Sequence, residues 1–196
     1  LAALRELSAT APRGFLKPQV GATAWGTLPF DADAAGAERA ASHLAEWLPR
    51  EGVGGMMLQP FVPSVGAFGE TSVIFVDGEP AHGVRKVPVP GDYRVQDDHG
   101  ASDEPWAPPS AALEVARRAM AVAERRTGGE PDGPLLYGRV DFLRDEDAAK
   151  AGDPHDGWRI VELELIEPSL FLRHSAETAE RLADALLARL GAATPG

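Results

Sequence analysis

The chain has 196 residues, enough for one domain or two small lobes, and an ordinary hydrophobic fraction of 44%. Its net charge of −11 disfavours binding to nucleic acid, and the lack of cysteine excludes disulfides, zinc–thiolate centres and cysteine nucleophiles. Because we find no secretion signal and no apolar run long enough to cross a membrane, we predict a soluble cytoplasmic protein.

The N-terminal third is predicted to alternate short strands with one helix. Residues 1–8 look like the end of an amphipathic helix, and since the chain does not begin with methionine we expect a fragment or a trimmed chain. A short strand over 13–19 leads into a glycine-bearing loop or tight hairpin at 20–27. The apolar stripe of 34–49 predicts a helix, and 55–63 is a candidate buried strand.

The middle of the chain contains a hairpin followed by a long polar segment. Strands over 71–76 and 81–87 flank an Asp-Gly pair that is typical of two-residue turns. The segment 88–109 is rich in proline and glycine and is predicted to be irregular. Its part 97–108 is a candidate lid over a site.

The C-terminal part is predicted to contain a helix over 110–127, strands over 135–143 and 158–172, and a last helix over 175–190. The buried face of the last helix is predicted to consist of leucines, namely Leu182, Leu186, Leu187 and Leu190. This order of elements indicates an α+β protein with mainly antiparallel sheets and packed helices.

Two apolar strands near the C-terminus carry acids. Alternation puts Glu162 and Glu164 on one side of their strand, and Asp141 lies within the strand before it. Neighbouring strands could present all three carboxylates to one point. Because such carboxylates resist burial together and no histidine or cysteine accompanies them, they suit Mg²⁺ or Mn²⁺. The alternative is a solvated strand face, on which alternating acids are common.

Cations stand close to glycine-bearing turns. Lys17 precedes the loop at 20–27, and Lys86 and Arg94 bracket a second turn rich in glycine and proline. Backbone amides, cations and a carboxylate-held divalent ion are the parts that hold a triphosphate. Each part alone is a weak signal, since a lysine before proline is more often a surface residue.

In this order the motifs resemble the ATP-grasp superfamily, and within it the glutathione-synthetase-like carboxylate–amine ligases. The family has an Asp on one strand and an acid-x-Asn pattern on the next. The resemblance implies Asp141 and Glu162 as metal ligands, whereas Glu164 stands where Asn is usual and adds a third carboxylate to the metal site. Val161 is implied to contact the nucleotide. The run ELELIEPSLFL is similar to the cyclo-ligase branch that closes the cycloserine ring from a ureido-serine precursor.

A second family motif is matched by KVPVPGDYRVQ. The resemblance implies that Lys86 contacts the nucleotide phosphates and that Arg94 contacts the acyl phosphate or the charge that develops on it. Lys17, ahead of its glycine-bearing loop, is implied to contact nucleotide phosphate as well.

The resemblance also predicts how the rest of ATP is held. Gln59 and Phe61 belong to a segment that resembles the hinge whose backbone pairs with adenine, and Glu70 resembles the acid that binds the ribose hydroxyls. Two lobes are expected, 1–62 and 63–196, with the nucleotide between them. The N-terminal substrate domain of such enzymes is expected to be missing from this chain.

The implied activity is ATP- and Mg²⁺-dependent ligation, in which a small-molecule carboxylate is phosphorylated and an amine then displaces phosphate. Many relatives are dimers or tetramers, and the sequence leaves open whether this chain forms a homo-oligomer. Two alternatives stay open. One is a non-catalytic ATP-binding module or fragment, and the other is a hydrolase with paired carboxylates, which would leave the companion cations unexplained.

Overall fold

The computed structural model describes residues 6–7, 11–21, 23–95, 100–127 and 133–192. The chain divides into two compact units, Leu1–Val62 and Pro63–Gly196. Each unit has its own antiparallel sheet with helices beside it, which confirms the predicted α+β class. Among the described residues, the helices are too short or too polar to cross a bilayer.

The first unit is a three-stranded sheet with one long helix. Strands β1 (Arg13–Pro18), β2 (Leu28–Asp31) and β3 (Met56–Pro60) lie in the order β2-β1-β3, and helix α1 spans Ala34–Trp47. Alternate residues of β1 are buried, and Leu16 packs with Phe30 and Ala40 in the core of the unit. Asp33 caps α1 by accepting a hydrogen bond from the N–H of Gly36 at 2.7 Å. The predicted helix over 34–49 and strand over 13–19 are confirmed.

Two features of this unit differ from the sequence predictions. Strand β2 was not predicted, because four residues that include Pro29 show no readable alternation and acquire strand structure only by pairing with β1. Strand β3 was predicted to be buried, and that prediction is wrong. It pairs with β1 alone, none of its residues is buried, and Met57 is 37% exposed.

The second unit contains a five-stranded antiparallel sheet. Its strands are β4 (Glu70–Val76), β5 (Glu79–Val87), β6 (Ser102–Trp106), β7 (Tyr137–Arg144) and β8 (Trp158–Glu164), in the order β6-β5-β4-β7-β8. Its helices are α2 (Ser64–Ala67), α3 (Ser110–Thr127), α4 (Glu146–Lys150) and α5 (Ala176–Ala192), with a 3-10 turn at Leu172–His174. The predicted hairpin and both predicted long helices are confirmed.

One face of this sheet packs on α3 to form the main core. Val73, Phe75 and Phe142 of the strands meet Ala116 and Met120 of the helix, all of them buried. All seven residues of β4 are buried, so the residues that alternate with Val73 and Phe75 are covered on the opposite face. Polar residues at those alternate positions must therefore find partners within the protein.

The candidate lid is wrong for the part of 97–108 that the structure describes. Residues 102–106 form β6, which pairs with β5 from Gly83 opposite Trp106 to Val87 opposite Ser102. Residues 96–99 lie outside the described part of the chain. The sequence could not indicate this strand, because its register comes from β5 and not from an apolar pattern of its own.

The long acidic strand predicted over 158–172 is shorter than expected. Strand β8 ends at Glu164, and beyond it Glu167 and Phe171 both have φ of 48°, which lies in the left-handed region. The chain thus leaves the edge of the sheet and returns across its face toward α5.

The leucine face predicted for the last helix is also wrong. Leu182 is half-buried, but Leu186, Leu187 and Leu190 are 45%, 64% and 58% exposed. Helix α5 instead buries Thr178 in its first turn. Helical spacing identifies an apolar stripe, but it does not tell what covers that stripe.

Candidate functional site

The face of the second sheet opposite α3, here called the site face, carries a group of charged residues. Strand register sets Asp141 of β7 beside Glu162 of β8, and the register shifts immediately after this pair. The shift leaves Val161 as the extra residue of β8, while regular alternation beyond it keeps Glu162 and Glu164 on the same face as Asp141. The polar and charged residues gathered here are Glu70, Ser72, Lys86, Arg139, Asp141, Glu162 and Glu164.

Lys86 is a buried cation held between two buried acids. Its Nζ donates to Asp141 Oδ2 at 3.0 Å and also forms an ion pair with Glu70. The side chains of Lys86 and Glu70 are 11% exposed, and that of Asp141 is fully buried. Burial opposes the charge on Lys86, but the two neighbouring carboxylates outweigh this effect and raise its pKa.

The two acids beside Lys86 respond differently to burial. Burial raises the pKa of Glu70 to about 7, although the charge of Lys86 acts in the opposite direction. At Asp141, burial is outweighed by the charge of Lys86 and by the hydrogen bonds of Arg139, and the pKa falls below its usual value. Of the two acids, Glu70 is therefore the one that gains a proton more readily.

Arg139 was not predicted as a site residue, yet it contacts two of the predicted acids, Asp141 and Glu164. Its Nε and NH2 groups donate to Asp141 at 2.9 and 2.8 Å, and NH2 reaches Glu164 at 2.5 Å. Its NH1 group donates to the carbonyl oxygen of Ser169 at 3.1 Å. The available signal was its position two residues before Asp141, which places both side chains on the same face of β7.

The three predicted metal ligands come together. Asp141, Glu162 and Glu164 each offer a carboxylate oxygen, and these oxygens lie within 4.8 Å of one another. Glu162 is exposed, and burial raises the pKa of Glu164. A set of carboxylate oxygens with one exposed member fits a hard divalent cation that keeps part of its water shell.

In the described part of the chain, Arg94 is paired with Asp92 and not with the acids of this group. Its Nε and NH2 groups form a bidentate ion pair with Asp92, two residues earlier, and its side chain is 40% exposed. Hydrogen bonds from Arg94 hold the pKa of Asp92 far below its usual range. The structure thus brings Lys86 to the acids and leaves Arg94 paired with its own neighbour.

Of the residues predicted to meet other parts of ATP, Lys17, Gln59 and Phe61 lie in the first unit, whereas Glu70 and Val161 lie in the second. Lys17 is half-buried in β1, and Gln59 is exposed in β3 opposite Phe15. The N–H of Phe61 donates to the carbonyl oxygen of Arg13 at 3.0 Å, and the Arg13 guanidinium lies 4.2 Å from the centre of the Phe61 ring. In this conformation the Phe61 N–H is therefore committed to β1 and is not open to an adenine ring.

The chain is similar to known proteins in both sequence and fold. No protein-family model matches the chain. The chain is 35% identical over 164 residues to the cycloserine biosynthesis protein DcsG of Streptomyces lavendulae, a match that spans 79% of this chain and 48% of the relative. The crystal structure of D-cycloserine synthetase DcsG superposes on 96% of the chain and 60% of its own, with a TM-score of 0.76 and 31% identity. The chain has the fold of the ATP-grasp ligases and is similar to DcsG in sequence.

A more distant ATP-grasp structure shows how widely the fold extends. The ATP-grasp ligase PsnB, seen with Mg and ADP, has a TM-score of 0.58 and 19% identity, covers 96% of this chain and matches over 50% of its own length. That likeness establishes the ATP-grasp fold and nothing finer. The chain spans about half the length of the curated relative that it matches.

One residue of the site, Glu164, differs from the usual ATP-grasp pattern. Glu164 stands where the family usually has Asn, and here its carboxylate lies against the guanidinium of Arg139. The extra negative charge therefore has a compensating cation inside the protein.

Proposed function

We propose that this chain forms the nucleotide-binding core of an ATP- and Mg²⁺-dependent ligase that joins a carboxylate to an amine. The observation that carries the proposal is the contact between buried Lys86 and Asp141 beside a group of three carboxylates. Cations and hard oxygen ligands in one place are what a metal-bound triphosphate requires. The 35% identity to a cycloserine biosynthesis protein supports the same assignment.

Asp141, Glu162 and Glu164 would hold the ion. Carboxylate oxygens without histidine or thiolate favour Mg²⁺ or Mn²⁺ over zinc or copper. The bound ion supplies charge neutralisation for the phosphate oxygens.

The proposed reaction needs no covalent bond between the protein and the reactants. A carboxylate oxygen of the substrate attacks the terminal phosphorus of ATP, the bond to the ADP oxygen breaks, and an acyl phosphate forms. The amine nitrogen then attacks the acyl carbon and loses a proton, and inorganic phosphate leaves. Lys86 would offset charge on the nucleotide phosphates, and Arg94 would meet the acyl phosphate after leaving Asp92.

We extend this proposal to the substrate by comparison with DcsG. The names of the relative and of its solved structure connect it with cycloserine. We infer that here too the carboxylate and the attacking nitrogen belong to one small molecule, so that ligation closes a ring. A cytoplasmic location stays a prediction.

Calorimetric titration with a non-hydrolysable ATP analogue, with and without Mg²⁺, tests the nucleotide site. We expect binding that depends on Mg²⁺, and the absence of binding at millimolar analogue would contradict the proposal. Phosphate release from ATP in the presence of ureido-serine then tests ring closure. Binding without release would favour the alternative of a non-catalytic ATP-binding module, which the half-length match to DcsG makes worth testing.

A further inference from the structure

Residues 169–175, here called the strap, cross the site face after the chain has left β8. At one end, the carbonyl oxygen of Ser169 accepts a hydrogen bond from Arg139 at 3.1 Å. In the middle, Phe171 is buried against Ile74 and Val84 on the site face. The strap therefore covers the part of the face that belongs to β4 and β5.

The far end of the strap is fixed to β6 by one acid. Asp103 lies opposite Lys86 in the register of β5 and β6, and its side chain is only 7% exposed. Its carboxylate pairs with the guanidinium of Arg173, whose Nε lies 3.1 Å from Oδ1, and with Nε2 of His174. Burial opposes the charge on Asp103, but Arg173 and His174 outweigh it and lower its pKa. Both basic residues of the strap are thus turned toward one carboxylate.

Neutral hydrogen bonds at the start of helix α5 add a weaker attachment next to the contacts of Asp103. His82 Nδ1 and Thr178 Oγ1 form a hydrogen bond at 2.9 Å, and Thr178 Oγ1 donates to Ser175 Oγ at 2.9 Å. These neutral hydrogen bonds fix the start of the helix. These bonds reach only Ser175, the last residue of the strap, whereas the ionic contacts of Asp103 hold both Arg173 and His174.

The composition of the strap indicates what it faces. Leu170, Phe171 and Leu172 are apolar and offer nothing to a phosphate, and the neighbouring cations are paired with Asp103. The residues suited to phosphate and metal lie on the strands instead, at Lys86 and the three-acid group. The strap is therefore placed to form a wall for the part of the reactants that is not nucleotide.

We propose that Asp103 is a positioning residue, whose carboxylate holds the strap against the site face so that the strap can bind the substrate that receives the phosphoryl group. The claim that Asp103 holds the strap, the structural half, is supported by the contacts described above. The claim that the strap binds this substrate, the substrate half, rests on the proposed function. In this proposal Asp103 acts through Arg173 and His174, the two residues with which it is paired.

The test compares Asp103→Asn with Glu104→Gln in the full chain. Glu104 is the next residue of the same strand, points to the opposite side and pairs with Arg85, so it is a matched control. Hydrogen exchange reports on the strap, since the His174 N–H donates to Phe171 at 2.9 Å and the Ser175 N–H donates to Leu172 at 3.1 Å. We expect exchange of these amides to accelerate about tenfold or more in Asp103→Asn and to stay unchanged in Glu104→Gln.

Binding and turnover measurements on the same variants test the substrate half. We expect Asp103→Asn to bind the Mg²⁺-loaded ATP analogue as wild type does and to raise KM for ureido-serine by about threefold or more. Asp103→Glu keeps the charge and is expected to restore both properties in part.

Each contrary outcome has a distinct meaning. Unchanged hydrogen exchange in Asp103→Asn would show that Asp103 does not hold the strap against the site face. A loss of ATP-analogue affinity in the same variant would overturn the assignment of the strap to the substrate that receives the phosphoryl group. If the wild-type chain itself does not bind the analogue, the proposed function fails and the substrate half fails with it. In that case hydrogen exchange still tests whether Asp103 holds the strap. If Asp103→Asn does not fold, the same exchange measurement is made on Asp103→Glu.

Discussion

Lys86 and Asp141 are joined across an intervening strand. Lys86 Nζ donates to Asp141 Oδ2 at 3.0 Å although β4 separates β5 from β7. The site-face residues of β4 along this path are Glu70 and the small Ser72. Three strands therefore share one set of buried charges, and removal of any member leaves the others without full compensation.

The first prediction concerns the stability of this charged group. We expect Lys86→Met to lower the free energy of unfolding by about 3 kcal/mol at pH 8, because the buried carboxylates of Glu70 and Asp141 lose a partner. Urea unfolding followed by circular dichroism measures the change. Lys150→Met removes an exposed lysine and is expected to have little effect. A loss in Lys86→Met no larger than in this control would show that the buried ion pairs contribute nothing to stability.

The second prediction concerns the pH dependence of stability. Burial raises the pKa of Glu70 from its ordinary 4.5 to about 7, so the folded chain retains a proton that the unfolded chain has released. The stabilisation is present in full below the ordinary pKa and is lost as pH rises through about 7. Since Gln cannot ionise, the stability of Glu70→Gln relative to wild type should improve between pH 5 and pH 8.

The measurement is a pair of urea titrations at each pH. Taking the difference between variant and wild type removes the contributions of the other acids, several of which have lowered pKa values and act in the opposite direction. Glu79→Gln, at an exposed position of β5, is the matched control for loss of a glutamate carboxylate. A constant difference for Glu70→Gln over this range would contradict the raised pKa.

The third prediction concerns the metal. We expect Glu162→Gln to abolish the Mg²⁺ dependence of ATP-analogue binding while the fold survives, because Glu162 is exposed and directly available to an ion. The loss in affinity should exceed the about 10–100-fold that follows removal of an outer-shell partner. Calorimetry with and without Mg²⁺ measures it, and Glu180→Gln on exposed α5 is the control. Wild-type affinity in Glu162→Gln would rule out the metal assignment.

Local patterns predicted much of the fold, and part of the site followed from register. The Asp-Gly turn and the apolar stripe of 110–127 are encoded by neighbouring residues, and both appear as expected. Alternation on two strands was enough to bring Asp141 and Glu162 together, since sheet neighbours with one buried face have little freedom of register.

The missing parts depend on contacts between residues that are distant in the chain. The motif GRVDF shows Arg139 near Asp141, but it does not show that the guanidinium turns onto the acids and reaches Ser169. The fixation of Arg173 by Asp103 joins two segments that carry no recognisable motif for each other. Such pairings are properties of the assembled sheet, and a single sequence does not display them.

The last prediction tests whether the backbone beside Lys86 must be glycine. Gly69 has φ of 93°, and a Cβ there would meet the carbonyl oxygen of Lys86 at 2.1 Å. Gly91 has a similar φ of 88°, but a Cβ there would meet nothing within 4 Å. Alanine at either position costs about 1–2 kcal/mol of backbone strain, and at Gly69 the clash adds about 1–3 kcal/mol and pushes β5 away from β4.

We therefore expect Gly69→Ala to destabilise the chain clearly more than Gly91→Ala in urea unfolding. Because the displaced strand carries Lys86, Gly69→Ala should also weaken ATP-analogue binding, whereas Gly91→Ala at the matched φ separates this effect from strain alone. Equal loss of stability in the two variants would mean that β5 yields to the added methyl group at no cost. Equal analogue affinity would mean that the position of Lys86 does not depend on this close approach of the two strands.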